Sequence, residues 1–203
     1  MHPLLPYLLD AAAGDFPVAD GGVTHVDGLP GGRSAVVSFT GHAVIATDLP
    51  WEGIAATALD GLGGATDPRV LTHLAGPGGR VGVLDVTLVS AGTGGGTLPR
   101  RADLDDHPRV RYAADLRTEV TVHGDDRGLV TLAHGLAGRT EMSVAAAPGA
   151  PTGTGRALIT EARALVPLGE PVFAAVSPGN ARSLRAFLSQ DFTPIASEVI
   201  LTP

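Results

Sequence analysis

The sequence contains no cysteine, and only 4% of its residues are aromatic. Without cysteine there is no disulfide framework, no thiol nucleophile and no thiolate metal site, and a reducing compartment is permitted. Lysine is missing too, because all 14 basic residues are arginine. That removes the G-x-x-x-x-G-K-[ST] nucleotide loop. No G-x-S-x-G elbow of a serine hydrolase occurs, and nothing approaches the length of a membrane span. The apolar stretch 1–14 lacks a cationic leader and is interrupted by Pro3 and Pro6, so a short docking helix and a cytoplasmic location are expected. A net charge of −7 with no basic stripe speaks against a nucleic-acid partner.

What is present is an ordinary folded composition, 44% hydrophobic and 17% charged, with a core that must be built mainly from Ala, Val and Leu. A chain of 203 residues can hold one sizeable core or two small ones. Apolar runs at 35–40 and 43–46, separated by Gly41 and His42, predict a hairpin. Ile54, Ala55, Ala58, Leu59 and Leu62 recur at helical spacing and predict a helix over 51–62. A second helix is expected over 68–74 and a strand over 80–90. The stretch 91–106, glycine-rich and then acidic, reads as a long, mobile connection. Its Gly92-Thr93-Gly94-Gly95-Gly96 run is no dinucleotide loop, because Thr97 replaces the third glycine and Pro99 discourages the helix that should follow. Asp103, Asp105, Asp106 and His107 are the densest cluster of metal-ligand types, and they read as a solvated acidic loop, so no metal is expected.

Beyond residue 109 the pattern tightens. Extended segments are expected at 110–114 and 117–123, with turns at 124–128 and 135–138 separating strands at 129–134 and 139–147. A helix over 155–166 and a buried strand at 171–176 would complete a right-handed parallel crossover. Asn180 then caps a helix over 181–190 with Ala181, Leu184, Phe187 and Leu188 inward, and the last strand spans 193–201. In this series the loop Gly153-Thr154-Gly155 opens directly into a helix. Free first-turn amides and the helix dipole suit a pyrophosphate, and Arg156 could add a charged contact. A plain turn with glycine for flexibility fits the loop alone equally well.

The order of the parts favours the phosphate reading. Val144, the run from Gly153 through Arg156 to Leu158, the strand to Val176, and Asn180, Ser183, Phe187, Asp191 and Phe192 resemble the GNAT acetyltransferase superfamily over about the last ninety residues. The resemblance implies that Gly153, Thr154, Gly155 and Arg156 contact the pyrophosphate of CoA. It implies that Val144, Ala145 and Ala146 lend backbone groups to pantetheine and the thioester, and that Asn180, Ser183 and Phe187 line the channel. The chain departs from the pattern at Ala150, where Arg or Gln opens the loop motif, and at Phe187, where many members carry the tyrosine that protonates the thiolate.

A regular hairpin closed by residues 135–138 would pair His134 with Arg139 and Leu132 with Glu141, placing His134, Arg139, Glu141 and Ser143 on one face. Glu141 is then the first candidate for a general base and His134 the second, although such a face is commonly only a solvated, salt-bridged surface. The expected fold is a mixed-sheet α/β arrangement, a GNAT-like acyl-CoA domain at 101–203 behind an α/β region at 1–100 that could be a degenerate second lobe. The expected function is acetyl transfer from acetyl-CoA to a primary amine of a small molecule or peptide. The alternative is a weakly active or inactive acyl-CoA-binding regulatory module. No metal or membrane partner is implied, and a homodimer is left open.

Overall fold

In the computed structural model, which describes residues 1–55 and 59–203, the chain divides into two compact units, Met1–Thr87 with Ile195–Pro203, and Leu88–Pro194. The glycine-rich stretch at 92–96 thus lies inside the second unit. Each unit combines strands and helices, and the second contains a mixed sheet, as expected for an α/β chain.

The first unit opens with α1 (Leu5–Ala13), which has Pro6 in its first turn and ends at Gly14 in a left-handed conformation, φ 94°. Strand β1 (Val23–Val26) runs parallel to β3 (His42–Ala46), which forms the expected hairpin with β2 (Ser34–Phe39) through Gly41. Next come α2 (Trp51–Ala55) and α3 (Pro68–Ala75), the latter capped by the Asp67 carboxylate, which accepts the Arg69 amide. Val36, Ile45, Ile54, Val70, Leu74 and Val199 share one apolar cluster.

The helix predicted over 51–62 is shorter than its periodicity suggested. Ala58 lies outside the described residues. Beyond them the Asp60 carboxylate accepts the amides of Leu62 and Gly64, turning the chain and leaving Leu62 77% exposed. The strand expected over 80–90 is likewise two strands, β4 (Arg80–Val81) and β5 (Asp85–Ala91), interrupted where Gly82 passes against the Ile200 carbonyl.

In the second unit the segment expected to be extended at 110–114 is helical, α4 (Pro108–Leu116). Pro108 occupies its first turn, and the His107 ring accepts the Arg109 amide as a cap. Val110 and Ala113, one turn apart, are its buried residues. Strands β6 (Thr118–Asp125), β7 (Gly128–His134) and β8 (Thr140–Ala146) form the antiparallel meander. Helix α5 (Thr154–Ala164) and strand β9 (Pro171–Val176), parallel to β8, follow as the crossover. Last come α6 (Ala181–Leu188) and strand β10 (Thr193–Thr202), whose final residues belong to the first unit. On α6, Phe187 is buried, but Ala181 and Leu188 are exposed, contrary to the expected inward face.

The stretch expected to be a mobile connection is instead fastened to α5. The amides of Thr93, Gly96 and Gly94 donate to the carbonyls of Arg163, Ala164 and Val166 at the C-terminal end of the helix, and the Gly92 amide donates to Glu170. Arg163 also accepts the Val166 amide in the turn that ends α5, and the glycine loop supplies the further donors that the last carbonyls of a helix need. A Cβ on Gly92 would stand 2.4 Å from the Pro167 carbonyl oxygen. Gly92→Ala should therefore lower stability by about 1–3 kcal/mol through forced backbone movement, whereas Gly155→Ala, in the helical first turn of α5 with open space around the added Cβ, should show no such loss; paired denaturant melts check both.

Candidate functional site

Strands β8 and β9 define the site by how little they pair. Their parallel register contains one pair among the described residues, Glu141 with Phe173, although β8 continues to Ala146 and β9 to Val176. On its other side β8 is paired along its whole length with β7. In that ladder the Gly135 amide donates to Arg139 and the Ala147 amide to Arg127, which makes the odd-numbered residues of β8 the hydrogen-bonded ones. Ala145 therefore turns its backbone toward Leu129. Val144 and Ala146 turn their N–H and C=O groups away from β7, toward the side where β8 has no further partner. Of the three residues expected to offer backbone groups, the alternation leaves Val144 and Ala146 free to do so.

Chain leaving Ala146 turns through Gly149 and enters α5 one residue earlier than predicted, at Thr154. Gly153 takes the left-handed conformation, φ 99°, that the entry requires. No side chain caps this helix. The amides of Thr154, Arg156 and Ala157 are turned onto Pro151 and Gly153, while those of Gly153 and Gly155 have no partner among the described residues. An added Cβ on Gly155 would meet nothing within 4 Å. Arg156 is exposed and forms no ion pair among the described residues. Two open donors, the positive end of a helix and a free guanidinium make this a place where an oxyanion would be stabilised.

Of the more distant candidates, Asn180 is exposed and its carboxamide oxygen accepts the Ser183 amide at 3.1 Å, the predicted cap. Ser183 is half-buried. Phe187 is 4% exposed and packs edge-on against Phe192 with ring centroids 4.9 Å apart. It offers no proton donor. Asp191 has φ 59°, the left-handed conformation a glycine would adopt most easily.

The expected polar face of the hairpin is corrected by one residue. His134 pairs with Thr140 and Ala133 with Glu141, because the connection holds five residues, 135–139, with Ala137 and Gly138 at positive φ. A shift of one residue reverses the faces. His134 and Glu141 therefore lie on opposite faces of the sheet. His134 is half-exposed, with Nδ1 3.7 Å from Glu119, and stands four residues of β8 from Val144, about 13 Å along the strand.

Glu141 is 3% exposed and is not on a solvated face. Arg139 donates to its Oε2 from Nε at 3.1 Å and from Nη2 at 2.9 Å, and Arg117, at the end of α4, donates to Oε1. The Arg139 guanidinium also lies over the Phe173 ring, 5.0 Å from its centroid. Gly135 makes room for the carboxylate, since a Cβ there would stand 2.1 Å from Oε2. Burial acts to raise the pKa of Glu141, but the two arginine charges and hydrogen bonds from Arg139 and the Leu136 backbone outweigh it and hold the group below the ordinary carboxylate range. Arg117 was not singled out in the sequence. Its partner is 24 residues away, beyond any local spacing rule.

No family model and no curated protein matches the chain. Among solved structures, one described as a putative acetyltransferase from the GNAT family, from Novosphingobium aromaticivorans, is similar over 62% of this chain and 68% of that one, at 18% identity and a TM-score of 0.41. No helix among the described residues is long and apolar enough to cross a membrane, and no metal-holding cluster occurs among them.

Glu141→Gln should destabilise the fold by about 3–5 kcal/mol at neutral pH, because two buried guanidinium groups lose their counter-charge. The folded pKa lies below the unfolded one, so this stabilisation is complete above the ordinary carboxylate range and disappears as pH falls through the lowered folded value. The difference between wild type and variant in urea melts should shrink correspondingly in acid.

Proposed function

We propose that the second unit binds an acyl-CoA and transfers its acyl group, acetyl being the expected one, to a primary amine. The observation that carries this reading is the combination of a parallel strand pair joined at one register position with an uncapped helix whose opening amides are free, in the order strand, loop, helix, strand. Ligands of α/β sheets gather at the carboxyl ends of such strands.

In this reading the amides of Gly153 and Gly155, beside Thr154, and the Arg156 guanidinium hold the pyrophosphate. Val144 and Ala146 pair their outward backbone groups with the pantetheine amides, as a neighbouring strand would, and Asn180 and Ser183 line the opposite side. The neutral amine attacks the thioester carbonyl, and an outward N–H of β8 stabilises the developing oxyanion. Collapse expels the CoA thiolate.

Glu141 serves this reaction by anchoring β8. A carboxylate held by two guanidinium groups is a weak proton acceptor, and His134 is too far along the strand from Val144 to take the amine proton directly. That proton passes to water. A CoA thiolate, with a thiol pKa near 8.5, leaves without an acid from the protein, in keeping with Phe187 in the family's tyrosine position.

The same two features favour a second reading, an acyl-CoA-binding module with little or no turnover. Thermal stabilisation by acetyl-CoA together with free-thiol release across a panel of amines supports the transferase. Stabilisation without thiol release supports the binder, and no stabilisation contradicts both. Gly155→Ala, which meets open space, should preserve the fold. Gly155→Glu should weaken acetyl-CoA binding at least about 100-fold by bringing bulk and negative charge to the cradle; unchanged affinity in calorimetry would contradict the assignment.

A further inference from the structure

Three polar side chains of the first unit, outside the site described above, form a relay. His42 Nδ1 lies 2.9 Å from Asp20 Oδ1, and His42 Nε2 lies 2.9 Å from Thr24 Oγ1. An ionised aspartate only accepts hydrogen bonds, so Nδ1 carries the ring proton and donates it to Asp20. Nε2 of the neutral ring is then the acceptor for the Thr24 hydroxyl. A hydroxyl aimed at an imidazole that is oriented by a carboxylate is the arrangement that activates an oxygen nucleophile. The His42 hydrogen bond, with one from the Gly22 amide, keeps the Asp20 carboxyl below its ordinary pKa.

The backbone holds these groups in place. The Gly21 amide donates to Gly41, the Ala43 amide to Gly22 and the Gly61 amide to Gly21, tying together the segments that carry Asp20, Thr24 and His42. The approach is so close that a Cβ on Gly61 would stand 2.7 Å from His42 Cα, and one on Gly41 would stand 2.8 Å from Ala19 Cβ. Such locking favours a catalytic constellation, because its geometry is set before substrate arrives.

Thr24 is half-buried on β1, the edge strand of its sheet, while the His42 side chain is 11% exposed. The ladder to β3 uses Gly22, Thr24 and Val26, as the Ala43 to Gly22 and Thr47 to Val26 hydrogen bonds indicate. The N–H groups of Val23 and His25 therefore point to the open edge. His25 follows Thr24 directly, and its N–H is a backbone donor for the carbonyl oxygen of an ester attacked by Thr24, where the negative charge develops.

We infer that Thr24, His42 and Asp20 form an acyl-transfer site for short activated carboxylic esters, independent of the acyl-CoA reading of the second unit. Thr24 Oγ1 attacks the ester carbonyl while His42 Nε2 takes its proton. The bond to the alkoxide breaks, and His42 returns that proton to the departing alcohol. Water, deprotonated by His42, then attacks the acyl-threonine, the bond to Thr24 breaks, and the hydroxyl is restored with release of the acid. Asp20 positions the ring and stabilises its charged form.

The test uses the whole chain and p-nitrophenyl acetate, with no CoA present, so its outcome does not depend on the second unit. Wild type should release p-nitrophenol in a burst, and mass spectrometry should locate an acetyl group on Thr24. Thr24→Val and His42→Gln should each lower hydrolysis by roughly 10²–10⁴-fold, whereas Thr24→Ser, which keeps the hydroxyl, should retain it. Absence of acetyl on Thr24 in wild type, or hydrolysis by folded Thr24→Val at the wild-type rate, would overturn the proposal. Thermal melts identify a variant that fails to fold, in which case the labelled residue in wild type and the activity of Thr24→Ser decide the matter.

Discussion

Water is excluded from the Glu141 carboxylate, and that exclusion governs how β8 can behave. A lone buried anion is strongly disfavoured, so Glu141 requires Arg139 on its own strand and Arg117 at the end of α4. The requirement fixes the beginning of β8 in three directions: to β7 by the ladder, to α4 by Arg117, and to β9 by the register pair with Phe173, over whose ring Arg139 lies. Beyond this point β8 is held on one side only. A strand anchored at one end and unpaired on one edge at the other presents a backbone that something else can complete.

The two ends of α5 differ in the same sense. Its last carbonyls are satisfied by amides of the glycine-rich stretch, so the negative end of the helix dipole is closed off. Its first turn has no side-chain cap and leaves the amides of Gly153 and Gly155 open. By contrast, α3, α4 and α6 each begin under a side chain, from Asp67, His107 and Asn180 respectively. The uncapped start follows directly on the loop from the open end of β8, which is why phosphate and thioester recognition can belong to one ligand.

Local chemistry was readable in the sequence where a rule acts over a few residues. The hairpin through Gly41, the GDDRG turn, the Asn180 cap and the apolar run of β9 were all legible, and so was the place where a loop opens into α5. The segment 110–114 reads as extended because Val110 and Tyr112 are strand-prone types in alternation, whereas Pro108 in the first turn and His107 as cap are the signals that govern and make α4. The face of Glu141 was misread for a different reason. Ala137 adopts a left-handed conformation that alanine rarely takes, which admits one more residue to the turn and reverses the alternation. Pairings over long separations, Arg117 with Glu141 or His42 with Asp20, follow from tertiary structure and had no counterpart in local spacing. The glycines at 92–96 signal a bend correctly, but only the fold reveals that their amides serve a helix end.

Amide hydrogen exchange, resolved by residue and measured with and without acetyl-CoA, tests the acyl-CoA account most directly. The account predicts slowed exchange at Val144, Ala146, Gly153 and Gly155, with Ala145, already bonded to β7, unchanged. Exchange unaltered at all four, or protection confined to residues outside the end of β8 and the start of α5, would contradict it.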